Sequence, residues 1–68
     1  MIIKFKDGRF QTDKRQATIA RELGVSQGTI SNWLNLSVKP SGLSKTVLAA
    51  RYPELLTRIE MEWRRKDG

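Results

Sequence analysis

The strongest constraint in this chain is Gly24, where two short helical patterns meet. Before it, Ile19, Ala20 and Leu23 recur at helical spacing; after it, Val25, Ile30, Trp33 and Leu34 do the same. A glycine ends a helix cheaply because it enters the left-handed region without steric cost. The stretch from Gln16 to Asn35 is therefore predicted to be two helices joined by a tight turn, and the rest of the chain must pack around them.

Thr12 and Asp13 make a favourable helix start, with Thr12 as cap and Asp13 in the first turn. The first of the two helices is expected over 13–23, with Ala17, Ile19, Ala20 and Leu23 inward. Ser26 is a cap for the second, expected over 27–35 with Ile30, Trp33 and Leu34 inward. Gln27, Gly28, Ser31, Asn32 and Asn35 fall on its outer side. Residues 36–42 hold the breakers Pro40 and Gly42 and read as a loop.

Upstream, Ile3 and Phe5 alternate with Lys4 and Lys6, the period of a strand, and Asp7-Gly8 is a two-residue hairpin signal. A hairpin over 2–12 would pair Lys6 with Arg9, Phe5 with Phe10 and Ile3 with Thr12. The Lys6/Arg9 juxtaposition is unfavourable unless an anion lies nearby. A short helix from about residue 5 is the alternative, which Gly8 disfavours.

Downstream, Ser41 or Ser44 can cap a third helix over 43–52, with Leu43, Val47, Leu48 and Ala50 or Tyr52 inward. Pro53 ends it and suits the first position of a fourth, over 54–66. Leu55, Leu56, Ile59 and Trp63 form one apolar stripe there. Glu54/Arg58, Glu60/Arg64 and Glu62/Lys66 are spaced for ion pairs on its other side, and Arg64, Arg65 and Lys66 complement the helix dipole. The expected fold is mainly α: one small domain of about four helices with an N-terminal β-hairpin.

Charge and composition narrow the functions open to such a domain. The net charge is +6, from 13 Lys and Arg against 7 Asp and Glu, which favours nucleic acid first and an anionic membrane second, with a merely soluble basic domain as the plain alternative. Residues 26–42 carry Lys39 as their only charge, so the second helix of the pair is uncharged and the cations flank it. That division suits phosphate contacts at the edges and base contacts through amides and hydroxyls. The chain has no cysteine and no histidine, which removes thiolate and imidazole metal sites and the commonest general base. Glu54, Glu60 and Glu62 have lysine or arginine partners at salt-bridge spacing and no nucleophile or glycine-rich motif beside them. No enzyme, cofactor, metal or small-molecule substrate is expected. No apolar run approaches the ~20 residues of a membrane span, and the charged opening residues do not read as a signal peptide. A cytoplasmic protein is expected.

The stretch Gln16 to Asn35 resembles the helix-turn-helix of phage Cro and repressor proteins. Gln16 matches the opening glutamine, Ala20 the small residue at the helix crossing, and Gly24 the turn glycine. Ile19, Leu23, Val25, Ile30 and Trp33 match the buried positions. The resemblance implies that helix 13–23 braces helix 27–35 in the major groove of double-stranded DNA. Gln27, Gly28, Ser31 and Asn32 then match the base-reading positions. Gln and Asn can each make two hydrogen bonds to adenine, and a solvated polar face is the plain alternative. Gly28 would allow either a close backbone approach or a frayed first turn. The free N–H groups opening the bracing helix, with Lys14, Arg15 and Gln16, are expected to contact phosphate, and Gln16 matches the family's phosphate-binding position. Thr29, Lys39 and Ser41 are further candidates for phosphate.

The family's usual helix before the bracing helix is replaced here by an extended segment. The resemblance implies a dimer on a palindromic operator with half-sites ~10 bp apart, joined through the hairpin or the Trp63 stripe. The expected function is a phage, prophage or mobile-element repressor. An antitoxin-like autoregulator that also binds a protein, and a protein-binding inhibitor that does not use DNA, are the alternatives.

Overall fold

The computed structural model describes residues 1–67. Two strands, β1 (Ile3–Lys6) and β2 (Arg9–Thr12), precede four helices: α1 (Gln16–Leu23), α2 (Gln27–Leu34), α3 (Gly42–Arg51) and α4 (Pro53–Asp67). The protein is a mainly α domain with an N-terminal antiparallel hairpin. α1 packs on α2 and α3, α3 on α4, and β2 against α2.

The hairpin has the expected register: Ile3 opposite Thr12, Lys4 opposite Gln11, Phe5 opposite Phe10 and Lys6 opposite Arg9. Asp7 and Gly8 both take positive φ, 56° and 79°, the geometry of a tight turn whose twist matches the strands it joins. Phe10 is 2% exposed and enters the core, while Phe5 covers its edge with ring centroids 4.7 Å apart. A hairpin alone is marginal in water; this one is anchored by Phe10 and closed at its base. There the Asp13 N–H donates to the Ile2 carbonyl at 3.1 Å, and the Ile2 N–H donates to Asp13 Oδ1 at 2.9 Å.

That closure corrects the expected start of the first helix. Asp13 is committed to the hairpin, and the Thr12 hydroxyl donates to the Lys14 carbonyl at 2.7 Å instead of capping a helix. The helix begins at Gln16, after Arg15 in extended conformation with no capping side chain. Ala17 is exposed rather than inward; Ile19, Ala20 and Leu23 carry the packing.

Both α1 and α2 end in the same turn. At α1, Gly24 has φ 72°, the Val25 N–H donates to the Ala20 carbonyl at 3.0 Å, and the Gly24 N–H donates to that of Arg21 at 3.3 Å. At α2, Leu36 takes the glycine's place with φ 60°. The Ser37 N–H donates to the Asn32 carbonyl at 2.9 Å and the Leu36 N–H to that of Trp33 at 3.2 Å. A left-handed leucine costs roughly 1–2 kcal/mol. Leu36 is buried, which returns roughly 1.5–3 kcal/mol, so burial outweighs backbone strain.

One core collects Phe10 from the hairpin, Ile19, Ala20 and Leu23 from α1, and Ile30, Trp33 and Leu34 from α2. Leu36, Leu48, Leu55, Leu56 and Ile59 complete it, with Trp63 packed at its margin. The stripe on α4 is as expected, and Pro53 opens that helix. Leu43, expected inward, is 81% exposed. It lies about 140° around the helix from Leu48, at roughly 100° per residue. Ala50 is exposed as well.

The charges on α4 are paired differently from the expected four-residue spacing. Glu60 pairs with Lys45 of α3 at 3.1 Å and Glu62 with Arg65 at 3.6 Å. Arg58 lies over the Phe10 ring, and Lys66 lies over Trp63 while donating to the Leu36 carbonyl. Ion pairs along one helix are worth only ~0.2–0.5 kcal/mol, so a partner on a neighbouring element or an aromatic face displaces them.

Candidate nucleic-acid interface

The uncharged outer face of α2 is built from its own amphipathic pattern. Ile30, Trp33 and Leu34 are buried. Gln27, Gly28, Asn32 and Asn35 are exposed, and Ser31 is half-buried. Gln27 and Ser31 are four residues apart, as are Gly28 and Asn32, so the four predicted base-reading residues share one face over the first two turns. The helix opens on a capped turn: Ser26 Oγ accepts the Thr29 N–H at 3.2 Å. The Thr29 hydroxyl lies 2.9 Å from the same oxygen. A methyl group at Gly28 would meet nothing nearer than Ser26 Oγ at 3.9 Å. Packing inside the chain therefore does not require glycine there, and the cap argues against a frayed first turn.

Beside this face lies a polar cleft of about 480 Å³. Arg9, Gln11 and Thr12 of β2 line one wall, Lys14, Arg15 and Gln16 a second, and Ser31 and Leu34 of α2 with its C-cap Asn35 a third, over Phe10. The fold thus brings Arg15 and Gln16, predicted to hold phosphate, next to Ser31, predicted to read bases. Gln16 opens α1, and no side chain of the preceding Arg15 caps that turn. Helix dipole, free N–H groups and cationic side chains favour an anion at this end.

The other predicted phosphate residues are placed differently. Lys14 lines the cleft, but its ammonium is engaged with Glu22 Oε1 at 3.0 Å and with the Tyr52 hydroxyl at 2.9 Å. The Tyr52 hydroxyl in turn donates to Glu22. The hydrogen bond to Tyr52 and that to Glu22 raise the Lys14 pKa above its ordinary value. Those from Tyr52 and Lys14 hold the Glu22 carboxyl below its own. This triad ties α1 to the α3–α4 junction. Thr29 is occupied with the cap of α2. Lys39 and Ser41 are exposed in the connection to α3 and do not line the cleft.

Arg9, Gln11 and Asn35 belong to the cleft without having been singled out from the sequence. Asn35 was legible as part of the outer face, four residues beyond Ser31. Arg9 and Gln11 were legible as outward residues of the hairpin, alternating with Phe10. What no local pattern revealed is that the hairpin docks on α2.

Among the described residues, Lys4, Lys6, Arg9 and Arg15 have no carboxylate within ion-pair distance, whereas Lys14, Lys45 and Arg65 do. Also among the described residues, no three carboxylates gather as a metal site and no helix is long and apolar enough to cross a membrane. No family model, no curated protein and no solved structure matches the chain.

Proposed function

We propose that this protein is a sequence-specific regulator that binds double-stranded DNA, with α2 in the major groove. The observation that carries the reading is the exposed, uncharged amide-and-hydroxyl face of α2 bordered by a cleft holding Arg15 and Gln16. Gln27 and Asn32 are suited to bidentate contacts with adenine, and Ser31 can donate or accept at a base edge. Arg15, Gln16 and the first N–H groups of α1 take a phosphate and set the register. Lys39 and Ser41 stand on the far side of α2 in sequence and serve as outlying phosphate contacts. Bound at a promoter, such a domain excludes polymerase. A repressor of phage or mobile-element type, working in the bacterial cytoplasm as a homodimer on a palindrome, is the role these parts fit best.

Fluorescence anisotropy with a duplex chosen by sequence selection, against random duplex, tests this over a range of salt. The expected result is tighter binding to the selected duplex by ~10³-fold or more, with affinity falling as salt rises. Gln27→Ala should reduce discrimination at its contacted base by ~5–150-fold, as befits a contact of ~1–3 kcal/mol. Equal, weak binding to every duplex even at low salt would refute the reading.

A further inference from the structure

We propose that the outer face of the N-terminal hairpin is a second DNA-backbone contact, a clamp on the phosphates beside the groove that α2 reads. This rests on the DNA-binding reading above and extends it to an element that reading does not require.

Three observations point to it. First, the register of the hairpin puts Phe5 and Phe10 on its inner face and therefore Lys4, Lys6, Arg9 and Gln11 on its outer one. All four are exposed. Same-face residues of a strand lie roughly 6.6 Å apart, and Arg9 stands across from Lys6 on the other strand, so the three cations spread over a surface that suits successive phosphates better than one small anion. Secondly, Lys6 and Arg9 are directly opposed across the strands, and no described carboxylate pairs with either. Like charges in that position destabilise a hairpin. A polyanion lying along the face turns the repulsion into attraction. Thirdly, Arg9 and Gln11 line the same cleft as Arg15, Gln16, Ser31 and Asn35. A single DNA strand entering that cleft would meet the start of α1, the flank of α2 and the outer face of β2 together.

The hairpin is also held for the task. Phe10 is locked in the core and the two Ile2–Asp13 hydrogen bonds close its base. Little ordering is left to be lost on binding.

The test compares two charge-matched double variants, Lys6→Gln/Arg9→Gln and Arg64→Gln/Arg65→Gln, with the unaltered protein on selected and random duplexes. Arg64 and Arg65 lie near the end of α4, outside the cleft. The hairpin variant should weaken binding to both duplexes by a similar factor, about tenfold or more near physiological salt. It should also flatten the slope of log affinity against log salt by about two units. The α4 variant should keep the slope within about half a unit. Removing a like-charge pair leaves the hairpin at least as stable, so thermal unfolding of the hairpin variant should not fall. Selective binding by the unaltered protein with equal slopes for both variants would overturn the clamp alone. Failure of the unaltered protein to prefer any duplex would overturn the DNA reading and the clamp with it. So would binding to anionic lipid vesicles in place of duplex.

Discussion

Alanine at position 28 would meet only Ser26 Oγ, at an ordinary contact distance of 3.9 Å, and would suit a helix better than glycine by ~1 kcal/mol. The position therefore separates stability from recognition. Gly28→Ala is expected to raise the unfolding midpoint in urea by an amount matching roughly 0.5–1 kcal/mol. The same change should weaken binding to the selected duplex, because a methyl group then stands between the α2 backbone and the groove. A variant that is stabilised and binds as before would show that glycine is not needed for close approach. Leu36 shows the opposite balance: its left-handed backbone is unfavourable for leucine, and its buried side chain makes that conformation the better choice. Both residues are visible in the sequence, but their roles are not. Gly28 reads equally as a weak point in a helix, and Leu36 as an ordinary loop residue. What decides is whether space inside the fold is open or filled, and local pattern carries no information on that.

Between elements, the Lys14–Glu22–Tyr52 triad is the most specific polar tie, and its charges make it sensitive to pH. Glu22 is held below the ordinary value of 4.5, so its contribution to stability is full above that value and is lost as pH falls through the lowered one. Lys14 is raised above 10.5, so its contribution is full below that value and is lost as pH rises through the raised one. The tie is thus intact at neutral pH, and in acid it is lost through Glu22. Urea unfolding from about pH 7 to about pH 3 should show a shallower loss of stability for Glu22→Gln than for the unaltered protein. An identical acid dependence in that variant would mean that Glu22 does not couple to folding. Both side chains are more than a third or nearly a third exposed, 39% for Lys14 and 31% for Glu22, and solvent screening keeps the effect modest. The elements joined here were largely legible. The Asp7-Gly8 turn with period-two alternation set the hairpin register, Gly24 marked the end of α1, and Pro53 marked the start of α4. The start of α1 was not legible, because Thr12 and Asp13 satisfy the rules for a helix cap and are used instead to close the hairpin. The same holds for the α4 ion pairs: the sequence shows each glutamate's partner four residues on, but Lys45 can compete only once α3 has packed.

The whole molecule is 32 Å in its longest dimension, close to one turn of B-DNA at about 34 Å. On the proposed reading, one copy presents α2 alone to the groove and would cover one half-site. Two copies are needed to reach successive major grooves on one side of the duplex. Titration of a selected palindrome at protein and DNA concentrations well above the dissociation constant should therefore saturate at two chains per duplex. Changing the half-site separation from about 10 to about 15 bp, which moves the second site to the opposite side, should abolish any cooperativity. Saturation at one chain, or indifference to spacing, would exclude the symmetric arrangement. If the hairpin lies against DNA, the surface joining two copies falls elsewhere. Val38, Leu43 and Met61 are exposed apolar side chains that lie outside the hairpin.

The placement of the two tryptophans has an optical consequence. Trp33 lies beneath α2 at 4% exposure, on the side of the helix opposite its amides, and Trp63 is packed at the core margin with the Lys66 ammonium 4.7 Å from its ring. Neither indole belongs to the surface that would meet a duplex. Intrinsic emission should therefore report the integrity of the core and stay nearly silent to the bound ligand. An unlabelled sample then gives its own running record of folding, while a dye on the duplex reports occupancy in the same cuvette.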